Sequence, residues 1–489
     1  MTDWADGPRI ADGLPERTPA AAAGDVASDA VVAVSGFGSV GYPKAVPLSL
    51  ADSDRDLELT VISGGSVGDE IDAALVEAGA IARRFPYQAR PPARDAANAG
   101  RIAMADRHVA GVGDDVLTGR LPAPDVALVE AVAVGEDWLV PSTSVGQTPA
   151  FVEAADRLLV EVNEAQPRGL GAVHDIYLPE LPPDRDAIPV SEPGDEIGSP
   201  TVTFDPGKLA GVVRTETRDS PYEFRTPTET DREIAANLGA FLRRQLETNP
   251  VFEQTVRLQF GVGSLGNALM GEFGDVDFGD RSVAYFGEVI QDGLLDLLED
   301  GTLDVASATS LALSAEGQDR LFADIDAYAE DIVLRPANVS NAAELVERLG
   351  VFGVNSALEV DIYGHVNSTH VNGTSIINGI GGSNDFNRHS AVSVVALPST
   401  AAGGDISRVV PMVPHVDHTE HDVDAFVTEH GVADLRGTSP RERALEVVEN
   451  CADPAFRDGL WRYYEDALED GGHEPHDLAT AFSWSDERG

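Results

Sequence analysis

The chain reads as an α/β protein built from two similar halves, and three observations carry that expectation. First, short apolar runs alternate with helical patterns along all 489 residues: Val31–Val34, Leu57–Ile62, Leu158–Val162, Val256–Phe260, Ser282–Phe286, Val392–Leu397 and Arg408–Val413. Strands that alternate with helices favour a sheet covered by helices. Second, a glycine string recurs after a strand in each half, Gly36-Phe-Gly38-Ser-Val-Gly41 and Gly261-Val-Gly263-Ser-Leu-Gly266, 225 positions apart. Third, a stretch from Pro179 to Pro206 holds seven prolines among many acids and reads as a long exposed loop.

Beyond that loop, Thr230-Asp-Arg-Glu233 has the form of a capping box. Ile234, Leu238, Phe241, Leu242 and Leu246 continue at helical spacing. A chain of this length exceeds one core, so the expected division is a domain over 1–225 and a second over 226–489. In the repeat, position 63 (Ser63) answers to Glu288. Only the second half then carries a carboxylate at the end of its second strand, as after a duplication.

Charge sets the next limit. There are 83 acidic against 34 basic residues, a net charge of −49, and two of the basic residues are lysine, Lys44 and Lys208. Acids spread over the whole length with arginine in place of lysine suit a very salty cytoplasm, where salt screens the self-repulsion. No basic stripe exists to neutralise phosphates, which argues against nucleic acid as a partner. The most apolar run, Val126 to Val140, is broken by Glu130, Glu136 and Asp137, so no membrane span is expected. The polar N-terminus lacks a signal-peptide core, and a cytoplasmic location follows as an expectation. Cys451 is the sole cysteine and reads as a small buried hydrophobe.

Four segments are candidates for chemistry. Ile376-Ile-Asn-Gly-Ile-Gly-Gly-Ser-Asn-Asp-Phe-Asn-Arg388 carries Gly379, Gly381 and Gly382. Backbone stripped of side chains lets a ligand reach peptide N–H groups that can hold an anion; alone, the cluster is a turn. Gly261-x-Gly263-x-x-Gly266 fits a dinucleotide fingerprint by letter, with Glu288 as its acid, a weak signal. Glu288 has apolar neighbours and Gly287 beside it, a setting in which a carboxylate can act as a nucleophile. His415, His418 and His421 interleave with Asp417, Glu420 and Asp422; hydrogen bonding is the simpler reading and zinc the alternative.

Together these segments resemble the acetyl-CoA hydrolase/transferase family, especially its succinyl-CoA:acetate CoA-transferases. The resemblance runs through Gly36–Pro47, Arg83-Arg-Phe-Pro-Tyr-Gln88, Asp106-Arg-His108, Glu161–Pro167, His174-Asp-Ile-Tyr177, Glu288-Val-Ile-Gln-Asp292, Glu359-Val-Asp-Ile-Tyr-Gly364, the glycine segment, His418–Asp422 and Glu429–Arg436. It implies two CoA-transferase-like α/β domains with the catalytic glutamate in the second.

It implies Glu288 as nucleophile of a ping-pong reaction through an acyl-glutamyl anhydride and a glutamyl-CoA thioester. Asn341 and Glu429 would be orienting groups, and Gly382 an oxyanion donor. Phe260, Gly261, Val262, Gly263, Ser264, Leu358, Asn378 and Gly382 would line the CoA site. CoA is then a co-substrate with small carboxylates. No cofactor is permanently bound, no metal is needed, and a homodimer is what the family suggests. The alternatives are an acyl-CoA hydrolase using the same site and a CoA- or nucleotide-binding protein without catalysis. One departure stands out: Ala402 occupies the place of an expected lysine, and Arg388 or Arg408 are its candidate replacements.

Overall fold

The computed structural model describes residues 4–86, 90–261, 264–482 and 484. The chain forms two compact units, each made of two segments: Met1–Glu223 with Ala284–Leu345, and Phe224–Val283 with Val346–Gly489. This interleaving differs from a single cut after residue 225. It places Glu288 in the compact unit that holds the N-terminal segment.

The first unit is built on a mixed sheet ordered Ala103–Met104, Ile81–Phe85, Leu59–Ser63, Val31–Val34, Val126–Val134, Trp138–Pro141, Val202–Thr203, with Arg157–Asn163 between Val126–Val134 and Leu209–Thr215. The central pairings are parallel. Parallel strands are covered on both faces and so are apolar throughout: all nine residues of Val126–Val134 are buried, Glu130 included. Ala93, Val46, Leu50, Ile71 and Leu75 pack from the connecting helices onto Val32, Val61 and Leu128. In the same unit Ser282–Phe286, from Ala284 on, pairs in parallel with Val305–Ala308, and that strand with Ile332–Leu334. A short parallel pair, Val289–Ile290 with Ser310–Leu311, follows the first of these strands.

The second unit orders Thr255–Phe260, Phe352–Ser356, Val392–Ala396, Ala425–Thr428 and Gly431–Asp434, parallel except for the last hairpin. Helix Glu229–Thr248 buries Ile234, Leu238, Phe241, Leu242 and Leu246, the stripe its spacing predicts. Its capping box lies two residues earlier than expected. Thr228 is the N-cap and Asp231 the reciprocating acid, and Arg225 also binds Asp231 at 2.7 and 3.1 Å.

The expected strand Arg408–Val413 shrinks to Val409–Val410, because Pro411 has no N–H to donate to a ladder. The proline-rich segment is less exposed than expected. Ile188 and Val190 are buried, and the buried Arg335 donates to the carbonyls of Pro193 and Asp195 and to Asp175. Among the described residues no helix is long and apolar enough to cross a membrane. Cys451 is buried and free.

Candidate active site

Glu288 stands where the strand Ser282–Phe286 ends, followed at once by Val289–Ile290. Gly287 makes the corner possible, since a Cβ there would overlap the Tyr285 ring and hydroxyl. The corner is pinned on both sides: the Gly287 N–H donates to the Ser307 carbonyl (3.0 Å) and the Thr309 N–H to the Glu288 carbonyl (2.9 Å). The Tyr285 hydroxyl donates to the Val289 carbonyl (3.2 Å).

With its backbone fixed, the half-buried Glu288 side chain accepts 2.9 Å from Asn341 Nδ2. Asn341 is buried at the C-terminal end of helix Ala337–Ser340, and its Oδ1 accepts from Ser340 Oγ at 2.8 Å. Burial pushes the Glu288 carboxyl up to about 7, against a smaller downward pull from the Asn341 hydrogen bond. A carboxylate poorly solvated but still ionisable near neutrality is a better nucleophile than one in water.

The glycine string of the N-terminal segment packs against this corner. Gly38, at φ +66°, brings its backbone against Val289 and Ser310, and a Cβ there would lie 3.2 Å from Ser310 Oγ. Phe37, Val109, Val289, Ala312 and Ala337 form one apolar cluster. The loop is anchored from behind by a buried charge cluster. Lys44 Nζ reaches Glu130 (2.6 Å) and Asp219 (2.9 Å), while Asp219 accepts from the Gly41 N–H (3.2 Å) and Gln166 (3.0 Å). Glu161 takes the N–H groups of Lys44, Ala45 and Val46 and so caps helix Ala45–Ala51. At Ser63, the position that answers to Glu288 in the repeat, the buried Arg84 donates at 2.9 Å to the hydroxyl. An arginine paired with the buried Asp72 fills that place.

In the second unit, Leu358 and Asn378 line a cavity of about 260 Å³, together with Arg408, Ser368 and Pro398. Asn378 donates to the Ser368 carbonyl (3.2 Å). Gly382 is the N-cap of the short helix Ser383–Asn387, and Gly381 before it adopts φ +56°. Glu429 is held by Ser399, accepting from its N–H (2.8 Å) and its Oγ (2.6 Å). Phe260 is buried at the end of its strand, and the Gly261 N–H donates to the Val354 carbonyl (3.1 Å). Val262 and Gly263 lie outside the described residues, as does the side chain of Ser264.

Of the two arginines that stand as alternatives to the missing lysine, Arg408 lines the cavity, whereas Arg388 is well exposed and 4.0 Å from Asp422. The histidine knot works as hydrogen-bonded scaffolding. His418 is buried, with Nδ1 3.2 Å from Asn384 Nδ2 and Nε2 3.3 Å from Ser383 Oγ, so it steadies the glycine segment's exit. Among the described residues no group of three or more His, Cys, Asp or Glu is arranged to hold a metal ion. Sequence reasoning passed over Ser368 and Arg225 as cavity residues. Ser368 lies in Asn367-Ser-Thr-His370 just before the glycine segment, and that position was the available signal.

Comparison with known proteins fits this geometry. The acetyl-CoA hydrolase/transferase N-terminal domain matches residues 16–199 and the C-terminal domain of the same family residues 317–464. The chain is 42% identical to the succinyl-CoA:acetate CoA-transferase of Clostridium kluyveri over 471 residues, covering 94% of this chain and 87% of the relative. The chain belongs to the acetyl-CoA hydrolase/transferase family. It is also 38% identical to an acetyl-CoA hydrolase of Neurospora crassa, over 93% of this chain and 90% of that one. A 4-hydroxybutyrate CoA-transferase of Porphyromonas gingivalis superposes with a TM-score of 0.65 at 20% identity, covering 92% of this chain and 97% of that one. The α/β fold of two CoA-transferase-like halves is thus the family's fold.

Asn341→Ala removes the hydrogen bond that favours the ionised Glu288 and is expected to move the acid limb of kcat/KM to higher pH. A pH–rate profile checks this; an unmoved limb with reduced kcat would assign Asn341 a purely steric part.

Proposed function

We propose that this enzyme is a CoA-transferase that moves CoA between small carboxylic acids of the acetate and succinate type. The observation that carries the reading is the partly buried Glu288, hydrogen-bonded by Asn341 and ionising near neutral pH. A Glu288 oxygen attacks the thioester carbonyl carbon, the C–S bond breaks, and an acyl-glutamyl anhydride and a CoA thiolate result. The thiolate attacks the glutamyl carbonyl carbon, expelling the first carboxylate and leaving a glutamyl-CoA thioester. An incoming carboxylate attacks that carbonyl and displaces the thiolate, which then takes the new acyl group and frees Glu288.

Asn341 orients the carboxylate, and Glu429, fixed by Ser399, is a second orienting group. By the family resemblance, backbone N–H groups at Gly382 and in the Gly261–Ser264 loop, apart from the Gly261 N–H that the Val354 carbonyl already takes, are the donors for the oxyanions, worth roughly 3–4 kcal/mol per donor in such sites. The halophilic habitat, the cytoplasmic location and a homodimer belong to the same reading, supported by the charge and the family.

The second reading is acyl-CoA hydrolysis at the same site, favoured by near full-length relatives named acetyl-CoA hydrolase. The two differ in whether water reaches the anhydride. Acetyl-CoA consumption and free CoA release, followed with and without added succinate, separate them. Consumption that requires succinate and yields succinyl-CoA with no free thiol supports transfer, and consumption at the same rate without succinate, releasing free CoA, supports hydrolysis. Because the nucleophile must be ionised, kcat/KM should fall below an apparent pKa of about 7 on the acid side. A flat profile down to pH 5 would contradict this assignment.

A further inference from the structure

Thr309 lies between the strands Val305–Ala308 and Ser310–Leu311, is fully buried, and has every polar atom committed. Its N–H donates to the Glu288 carbonyl (2.9 Å), and its carbonyl accepts from the Val145 N–H (3.0 Å). Its hydroxyl accepts from the Gly146 N–H (3.0 Å) and donates to the Arg335 carbonyl (2.7 Å). A buried threonine is most simply a satisfied core hydroxyl. What sets this one apart is where its bonds lead. One ends on the backbone of Glu288, and the two made by the hydroxyl end on the segments that place Asn341.

The path to Asn341 is short. The Gly146 carbonyl accepts from the Ala337 N–H (2.8 Å), and the Ala337 carbonyl accepts from the Asn341 N–H (3.0 Å). Gly146 can face Thr309 and Ala337 at once because it adopts φ +52°, and a Cβ there would lie 3.3 Å from Ser144 Oγ. Ala337 opens the one-turn helix Ala337–Ser340, whose N-cap, Pro336, makes no side-chain capping bond. A single helical turn is not stable by itself, so its place is set by whatever ties down its entry. Arg335, two residues earlier, is held from the other side by the Ala308 carbonyl (2.8 Å) and Ser307 Oγ (3.0 Å), which leaves its own carbonyl to the Thr309 hydroxyl.

We propose that the Thr309 hydroxyl is a positioning group for the reaction: by bonding both the Gly146 turn and the entry of the Asn341 helix, it fixes Asn341 relative to the corner that carries Glu288. This role rests on Glu288 being the nucleophile. Without the hydroxyl, the Gly146 N–H and the Arg335 carbonyl are left unpaired in a buried place, and the helix entry relaxes away from the corner. Asn341 Nδ2 then meets Glu288 Oε1, now 2.9 Å away, less well. That hydrogen bond favours the ionised carboxylate against burial. Tyr285, the titratable group that interacts with Glu288, is itself pushed up by burial and stays neutral over the working range.

Steady-state kinetics across pH on Thr309→Val and Thr309→Ser test this. Valine keeps the shape and deletes both side-chain bonds, whereas serine keeps them. Thr309→Val should lower kcat roughly 10- to 100-fold, with KM changed by less than about threefold, and move the acid limb of kcat/KM to higher pH. Thr309→Ser should keep kcat within about threefold of the parent and leave the limb in place. In an Asn341→Ala background, Thr309→Val should move the limb no further, because Thr309 acts through Asn341. A parent-like kcat and limb in Thr309→Val would overturn the proposal. So would a loss that Thr309→Ser shares, or one that adds in full to that of Asn341→Ala. Should Thr309→Val not fold, Gly146→Ala strains the next link of the same path, and the same limb shift is expected of it. Hydroxylamine trapping of acylated Glu288 in the parent keeps the two questions apart. A trapped Glu288 with an unmoved Thr309→Val overturns the positioning role alone, and an unmodified Glu288 in working enzyme overturns both.

Discussion

Glu288→Gln should abolish turnover, lowering kcat by on the order of 10⁴- to 10⁶-fold, the scale on which removal of a covalent nucleophile acts. The amide keeps the size of the side chain and a hydrogen-bonding oxygen for Asn341, so the corner between Gly287 and Val289 stays intact. The loss then belongs to chemistry and not to folding. Stability should respond in the opposite sense. Because the folded-state pKa of Glu288 is raised, its contribution to stability is fully present below the ordinary carboxyl value and is lost as pH rises through about 7. Denaturant unfolding should therefore find Glu288→Gln more stable than the parent at pH 8, with the difference shrinking towards pH 4. Equal stability at both pH values would mean that Glu288 is better solvated than its surroundings indicate.

The second large effect is expected at Lys44. Lys44→Met leaves Glu130 and Asp219 buried at 1% and 2% exposure without their cation. Breaking a buried ion pair from one side costs about 3–5 kcal/mol, because the remaining charge is stranded. In the parent, burial alone would lower the Lys44 pKa, but Asp219 and Glu130 reverse the sign and raise it. Burial already raises the Glu130 carboxyl in the parent against the pull of Lys44, and loss of that cation raises it further. The deficit should be greatest at high pH and shrink as Glu130 takes up a proton. Unfolding midpoints in urea from pH 5 to 8 measure this. A variant as stable as the parent at pH 8 would show that the cluster is compensated by other groups. Because Asp219 also ties down Gly41, the glycine string against Val289 should loosen as well, and a fall in kcat should accompany the loss of stability.

Much of this architecture was legible in the residues. The strand Ser282–Phe286 was found to the residue, and the apolar stripe of helix Glu229–Thr248 was found entire. The first is a short continuous apolar run and the second a stripe of period 3.6, both of which are local signals. Boundaries governed by single side chains were less visible. Thr228 and Thr230 each precede an acid at the right spacing, and Arg225 bound to Asp231 is what stands with the earlier box. Pro411 cut short a run whose apolar letters suggested a longer strand. The interleaving of the two units has no local signature, since the packing of Gly38 on Val289 joins residues some 250 positions apart.

At the site, Glu288 stood out through Gly287 and its apolar neighbours, and family resemblance supplied Asn341. The hydrogen bond between them joins positions 53 apart and follows only from the fold. Arg408 came forward in the sequence only as a candidate replacement for the expected lysine, and Ser368 was passed over, because an orphaned buried hydroxyl is a property of a three-dimensional neighbourhood.

The central claim is that Glu288 becomes covalently acylated and then carries CoA. The most direct measurement is peptide mass spectrometry after the enzyme meets acetyl-CoA and is quenched with borohydride or hydroxylamine. Glu288 is expected to be recovered as the alcohol or the hydroxamate, in parent enzyme only and only when acyl-CoA was present. An unmodified Glu288 peptide from enzyme that is turning over would contradict the account.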